Sequence, residues 1–212
     1  LRHNTAAERT EVGAGVGAVL HQVMANVDQT FRLGASGTDT VKLIDRTFNC
    51  DNGRAVEILR FIRESRGVTV PREVCFHFEI SADILRDSLI EEIALSEKGS
   101  LQFEIGIQSL NSKTLEAIGR KSDKLRLFTS IKKLIALGNC HIHTDLIAGL
   151  PKETLSSFTH GFNECYTLGA NMLQLGFLKL LHGSELRQSS KSFGCQFSAA
   201  PPYEVISTAA MS

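Results

Sequence analysis

Four short segments alternate between apolar and polar residues, and sorting them by parity puts reactive groups on single faces. His141, His143 and Asp145 oppose Ile142, Thr144 and Leu146. His77 and Glu79 oppose Phe76, Phe78 and Ile80, while Glu104, Gly106 and Gln108 oppose Phe103, Ile105 and Ile107. Gln174 and Gly176 share a face further along. Such groups can bind a polar ligand, carry protons or hold a metal. Burying so many charges and amides without partners would be costly, so a wet, functional cavity is expected behind them rather than a dry core. His141 and His143 have the spacing of two metal ligands on one strand face, which Asp145 or Glu79 can complete. A metal-dependent hydrolase is therefore one reading. His77 or His182 taken alone reads as a hydrogen-bonded structural imidazole. No nucleophile elbow surrounds any serine or cysteine.

These faces need strands with helices between them, and the chain supplies both in alternation. Val41–Asp45 reads as a strand ending in the polar turn Arg46-Thr47-Phe48-Asn49, and Asp51 or Asn52 caps a helix running towards Gly67. A strand from Glu73 to Ile80 follows, then a helix capped by Ser81 or Asp83 and stopping at Gly99. Leu101–Gln108 is the next strand, followed by a short helix capped by Asn111 and a longer one from Ser122 to Gly138. The His141 strand runs into a turn at Gly149, and Pro151 reads as the first residue of a helix that ends at Gly169. Met172–Leu178 is the last strand, after which the pattern fades into a Gly/Ser-rich stretch. Five strands with helices between each pair predict an all-parallel α/β sheet. Part of a (β/α) barrel suits it best, with a doubly wound sheet as the alternative.

Lys+Arg and Asp+Glu are equal at 23 each in 212 residues, so no electrostatic case exists for nucleic acid or an anionic membrane. The apolar run Val12–Leu20 is too short to span a bilayer, and it makes a poor signal peptide. The five cysteines are odd in number and widely spaced, which fits small thiols in a reducing, cytoplasmic setting. Gly13-Ala14-Gly15-Val16-Gly17 follows no strand and is not read as a dinucleotide fingerprint. Val16, Val19, Leu20, Val23, Val27 and Phe31 fall on one face of a helix closed by Gly34.

Several motifs then resemble the radical S-adenosylmethionine (SAM) superfamily. They are Glu104 to Asn111 (EIGIQSLN), Gly119-Arg120, and Asp145 to Pro151 (DLIAGLP), in the order found in coproporphyrinogen-dehydrogenase-like members. Asp45 to Asn49, His77 to Ile80 and Gln174 to Lys179 further resemble the subgroup carrying an N-terminal cobalamin-binding domain. The resemblance covers about residues 36–207. It implies a partial (β/α) barrel that holds SAM and a [4Fe–4S] cluster at the C-terminal strand ends, for 5′-deoxyadenosyl-radical chemistry on an unknown, small-molecule substrate. By position, Arg120 matches the contact to the methionine carboxylate, Glu79 to its ammonium and Asp145 to the ribose, with Gln108 a further polar contact. Ile147, Gly149 and Gly176 match the adenine surroundings. Asp45, Asn49, His77, Glu104, His141, His143 and Gln174 are expected to line the cavity.

The resemblance also implies a CxxxCxxC loop for the cluster, and this sequence has none. No cysteine precedes Cys50. The expectation is a divergent segment with one helix over 1–35 and the C-terminal part of a radical-SAM-like core over 36–212, its first unit missing or divergent. Leu1 in place of a start methionine suggests a piece of a longer parent, which would supply the cluster and, through a domain outside this chain, cobalamin. A non-catalytic remnant of the barrel is the remaining alternative.

Overall fold

The structure is a computed structural model that describes residues 39–211. The expected helix over Val16–Phe31 and its segment lie outside the described residues.

Five strands form one parallel sheet in the order β1 (Thr40–Lys42), β2 (Cys75–Ile80), β3 (Leu101–Gln108), β4 (His141–Ala148) and β5 (Met172–Phe177). Between them run α1 (Asn52–Ser65), α2 (Asp87–Ala94), α3 (Ser112–Ala117), α4 (Lys124–Leu137) and α5 (Leu155–Tyr166). The strand order never reverses. With right-handed crossovers, an order without reversal puts every helix on the same face, as in a barrel and unlike a doubly wound sheet. Among the described residues β1 and β5 do not pair, so the sheet is open at both edges.

Phe76, Phe78 and Ile80 of β2, Phe103, Ile105 and Ile107 of β3, and Ile142 and Leu146 of β4 all point into the helix-side core. There they meet Ala55, Ile58, Leu59 and Ile62 of α1, Leu89 and Ile93 of α2, and Leu127, Ile131 and Leu134 of α4. Phe78 stacks between Phe48 and Phe103 at centroid distances of 4.3 and 5.8 Å. The core therefore occupies one side of the sheet, and the polar parity is left on the other. At the β5 edge this cover thins, with Leu175 and Phe177 exposed.

Helix starts follow side-chain caps. Asp51, Asn111, Asp123 and Thr154 each accept a backbone N–H in the first turn of α1, α3, α4 and α5, and Gly138 closes α4 in the left-handed region. Three expectations need correction. Neither Ser81 nor Asp83 caps α2: Ala82–Ile84 form a separate 3-10 turn, and α2 starts six residues after Ser81, with Arg86 as its N-cap. Pro151 does not open α5, because Lys152 adopts φ 62° and the chain must turn once more before Thr154 caps the helix. The stretch after β5 is structured, with α6 (Glu185–Gln188) and an antiparallel pair β6 (Gln196–Phe197) and β7 (Val205–Ser207). That unit builds a second small core in which Leu150, Leu178 and Leu180 meet Ile118, Ile147, Phe197 and Val205. No described helix is long and apolar enough to cross a membrane.

Candidate functional site

The strand register stacks the polar face in levels. Lys42, His77, Gln102 and His141 share the first level. Glu79, Glu104 and His143 share the next, followed by Gly106, Asp145 and Gln174, and then Ile147 and Gly176. All five strands thus deliver polar groups to one side, climbing towards the C-terminal strand ends where α/β folds bind ligands.

At that end lies a cleft of about 160 Å³ lined by Arg46, Thr47, Glu79, Ile80, Ser81, Glu104, Gly106, Gln108, Arg120 and Asp145. A neighbouring open groove of about 350 Å³, over Ser112 to Ser122, shares Arg120 with it. Gln108 ends β3 with φ 69°, where the pairing of β3 with β4 slips by a residue. A left-handed backbone at a non-glycine residue costs on the order of 1 kcal/mol and tends to persist at ligand sites. Arg120 follows the left-handed Gly119 after α3 and donates from Nη2 to the Gly106 carbonyl. Among the described residues this half-buried guanidinium has no carboxylate within ion-pair distance, and the Oε1 of Gln108 is buried without a donor. Burial pulls the Arg120 pKa down from its ordinary value, with distant Asp83 opposing. Both residues line the cleft, Arg120 without a carboxylate partner and Gln108 Oε1 without a donor among the described residues.

Deeper in, charges pair. Lys42 Nζ lies 2.9 Å from Glu104 Oε2 and 3.3 Å from Glu79 Oε1. His77 Nε2 is 2.9 Å from Glu104 Oε2, and His143 Nε2 is 3.0 Å from Asp145 Oδ1. Neither imidazole aims its N–H well at its carboxylate, so His77 Nε2, His143 Nε2 and Asp145 Oδ1 remain without a directed hydrogen bond. Burial, then the Lys42 charge, pushes the His77 pKa down, which keeps the ring neutral. Burial works to raise Glu104, but the hydrogen bond and charge of Lys42 outweigh it and hold the carboxyl below its ordinary range. Asp145 goes the other way. Burial raises it, and the Glu104 and Glu79 charges add to the rise against His143 and Lys42.

Of the expected SAM contacts, Glu79, Gln108, Arg120 and Asp145 converge on the cleft. Ile147, Gly149 and Gly176 gather beside it: Gly176 lies against Ile147 and the Leu146 carbonyl, and Gly149, at φ 84°, packs near Leu178 and Val205. Glu104 lines the cleft with His143 on the same level, His77 and His141 lie a level lower, and Gln174 is exposed beside Asp145. Two expected cavity residues serve otherwise. Asn49 is wholly buried; its amide donates to Ser81 O and accepts from Ser81 N, both at 2.9 Å. Asp45 is held by Arg54 Nη2 at 3.1 Å and does not line the cleft. Lys42, Arg46, Thr47 and Ser81 were not singled out from sequence. Lys42 carries the same parity signal as its neighbours, Ser81 directly follows β2, and Arg46 and Thr47 lie in the turn beyond β1.

No three His, Cys, Asp or Glu side chains gather to hold a metal among the described residues. The hydrolase reading through His141, His143 and Asp145 therefore gains no support. The same holds for a [4Fe–4S] cluster: all five cysteines are described, all are free, and no three converge. Cys140 and Cys165 lie on the helix side with thiols that burial pushes up to about 11 and about 12. The residues present do not fit the cluster.

No protein-family model matches the chain. RimO, a ribosomal protein uS12 methylthiotransferase of Clostridium botulinum, is 38% identical over 77 residues, which is 36% of this chain and 17% of that protein. TokK, a cobalamin-dependent radical SAM methyltransferase of Streptomyces tokunonensis, is 29% identical over 134 residues, 59% of this chain and 19% of its own length. The heme chaperone HemW of Bacillus subtilis is 34% identical over 76 residues, covering 36% and 20%. The chain spans about a fifth of the length of these curated relatives. Among solved structures, the radical SAM methyltransferase TsrM from Kitasatospora setae, with cobalamin and a [4Fe-4S] cluster bound, superposes with a TM-score of 0.63 at 17% identity, covering 84% of this chain and 36% of that one. HemN, the coproporphyrinogen III oxidase of Escherichia coli, gives 0.58 at 15%, covering 83% and 46%. The structural likeness speaks to the fold. Relatives and fold together point to the radical SAM superfamily, with cobalamin-dependent and HemN-like members among them.

Proposed function

We propose that this chain, whose relatives and fold point to the radical SAM superfamily, binds S-adenosylmethionine across the cleft at the C-terminal ends of β2, β3 and β4. The observation that carries the reading is the Arg120 guanidinium, half-buried and without a carboxylate partner among the described residues, facing the same cleft as Glu79, Gln108 and Asp145. Those groups suit a ligand that carries a carboxylate, an ammonium and a ribose at once. Arg120 receives the methionine carboxylate, Glu79 the ammonium, and Asp145 the ribose hydroxyls. Ile147, Gly149 and Gly176 leave a flat, side-chain-poor surface for the adenine. A cleft of about 160 Å³ encloses only part of such a ligand, which therefore extends over the shared groove or the open β5 side.

The residues needed to bind are present, and those needed to hold a reducing cluster are not. The chain by itself is thus expected to bind without generating a radical. A [4Fe–4S] cluster, and cobalamin if it takes part, belong in this reading to segments outside the described residues. The setting proposed is cytoplasmic, with a small-molecule substrate and no nucleic acid or membrane partner.

Calorimetry on the chain tests the reading. An Arg–carboxylate contact is worth about 1.5–3 kcal/mol, so Arg120→Ala should lower SAM affinity about tenfold or more. It should spare 5′-deoxyadenosine, which has no carboxylate. Asp145→Ala should weaken both ligands. Equal losses of both ligands in both variants would defeat the assignment.

A further inference from the structure

We propose that Lys42 is a positioning residue for ammonium recognition: wedged between Glu79 and Glu104, it fixes both carboxylates in place, leaving the second oxygen of Glu79 for the ligand's ammonium. The inference rests on the SAM-binding reading and extends it to a residue on β1, a strand that carries none of the assigned contacts.

Glu79 and Glu104 pair across β2 and β3, so their side chains start from adjacent positions on one face. Like charges directly opposite one another on a sheet repel, so without a cation between them the two carboxylates would swing apart. Asp145 on β4 adds a third carboxylate to the same cleft. The groups facing Lys42 are Glu79 and His77 on β2, Glu104 on β3, and His143 and Asp145 on β4. None of them brings a fixed positive charge. Lys42 does, from the edge strand β1, at 2.9 Å from Glu104 and 3.3 Å from Glu79. It touches only one oxygen of Glu79. A Glu79 pushed aside by Glu104 would be out of place for an ammonium, so the lysine serves binding although no part of it need touch the ligand. His77 supports the arrangement from below, since a neutral ring beside Glu104 does not compete with the lysine.

The test uses the whole 212-residue chain with Lys42→Met and Lys42→Arg, with SAM and 5′-deoxyadenosine as separate titrants. Lys42→Met should lose about tenfold in SAM affinity, as for loss of a well-placed hydrogen bond to a charged group. Binding of 5′-deoxyadenosine, which has no ammonium, should stay within about twofold of the wild type. Lys42→Arg should restore most of the SAM affinity. Equal losses for both ligands, or no loss for either, would overturn the role of Lys42 while the wild-type chain still bound SAM. A wild-type chain with no SAM affinity would instead overturn the binding reading and this inference with it.

Discussion

The side-chain amide of Gln108 occupies the space that a Cβ on Gly106 would need. Two residues apart on β3, one has no side chain and the other folds back over it from a left-handed backbone. The Arg120 guanidinium completes the group, bonded to the Gly106 carbonyl.

Gly106→Ala should therefore separate binding from stability. The atom that must give way is the far end of a flexible side chain, so the fold can absorb the methyl group at little cost. Gln108 would swing out of the cleft, while Nη1 of Arg120, 3.9 Å from the new carbon, would stay in ordinary contact. SAM affinity should fall by about tenfold or more, as for loss of a hydrogen bond to a charged group, while the melting temperature stays within about 2 °C. A large drop in melting temperature with affinity retained would show that Gly106 serves the sheet and not the ligand.

Asn49 shows the reverse separation. Its buried amide closes a two-way link to the Ser81 backbone and so joins the turn carrying Arg46 and Thr47 to the end of β2. Asn49→Ala leaves an N–H and a carbonyl without partners, at about 1–3 kcal/mol for each unsatisfied group. Urea denaturation should show that loss with an unchanged m-value. An effect under about 0.5 kcal/mol would mean that water replaces the amide.

Much of this architecture is legible in the sequence, because parity is a local signal. The polar faces of β2, β3 and β4 and their apolar backs lie where alternation puts them, and β3 keeps its expected bounds at Leu101–Gln108. What escapes are decisions taken at a distance. Asp45 and Asn49 look like cavity residues until Arg54 and Ser81, from other parts of the chain, engage them. The delayed start of α2 follows from the same Ser81 contact and the 3-10 turn behind it. Pro151 satisfies the rule for a first helical residue, but the left-handed Lys152 after it breaks the run. Strands of two and three residues, such as β6 and β7, are too short to show a period at all.

The thiols offer a check on which cysteines can ligate or react. Cys50 is exposed, whereas burial holds Cys140 at about 11 and Cys165 at about 12. Thiolates are the reactive form. A thiol reagent at about pH 8 should label Cys50 first, with Cys140 and Cys165 reacting only on unfolding. Reconstitution with iron and sulfide should yield no stable [4Fe–4S] spectrum from this chain. A cluster signal abolished by replacing any three of the five cysteines would contradict the geometry.

Asp145 is where stability and binding should conflict most clearly. Its carboxyl is largely buried and its pKa is raised, burial being the main cause and the Glu104 and Glu79 charges adding to it. A raised carboxylate pKa means that the folded chain holds a proton which the unfolded chain has already released. Over that window stability falls as pH rises, and above the folded pKa the full cost of the buried charge is present. Asp145→Asn keeps the shape and removes the charge. The variant and the wild type should melt at nearly the same temperature in acid, near the ordinary Asp pKa of about 3.9. The variant should then gain with pH until Asp145 is fully ionised, reaching an advantage of about 2–4 °C, which corresponds to ~1 kcal/mol in a chain of this size. Binding of 5′-deoxyadenosine should weaken in the same variant, because a neutral amide is the poorer acceptor for ribose hydroxyls. Thermal melts across the range decide the sign. A wild type more stable than Asp145→Asn at neutral pH would mean that the His143 contact at 3.0 Å outweighs burial.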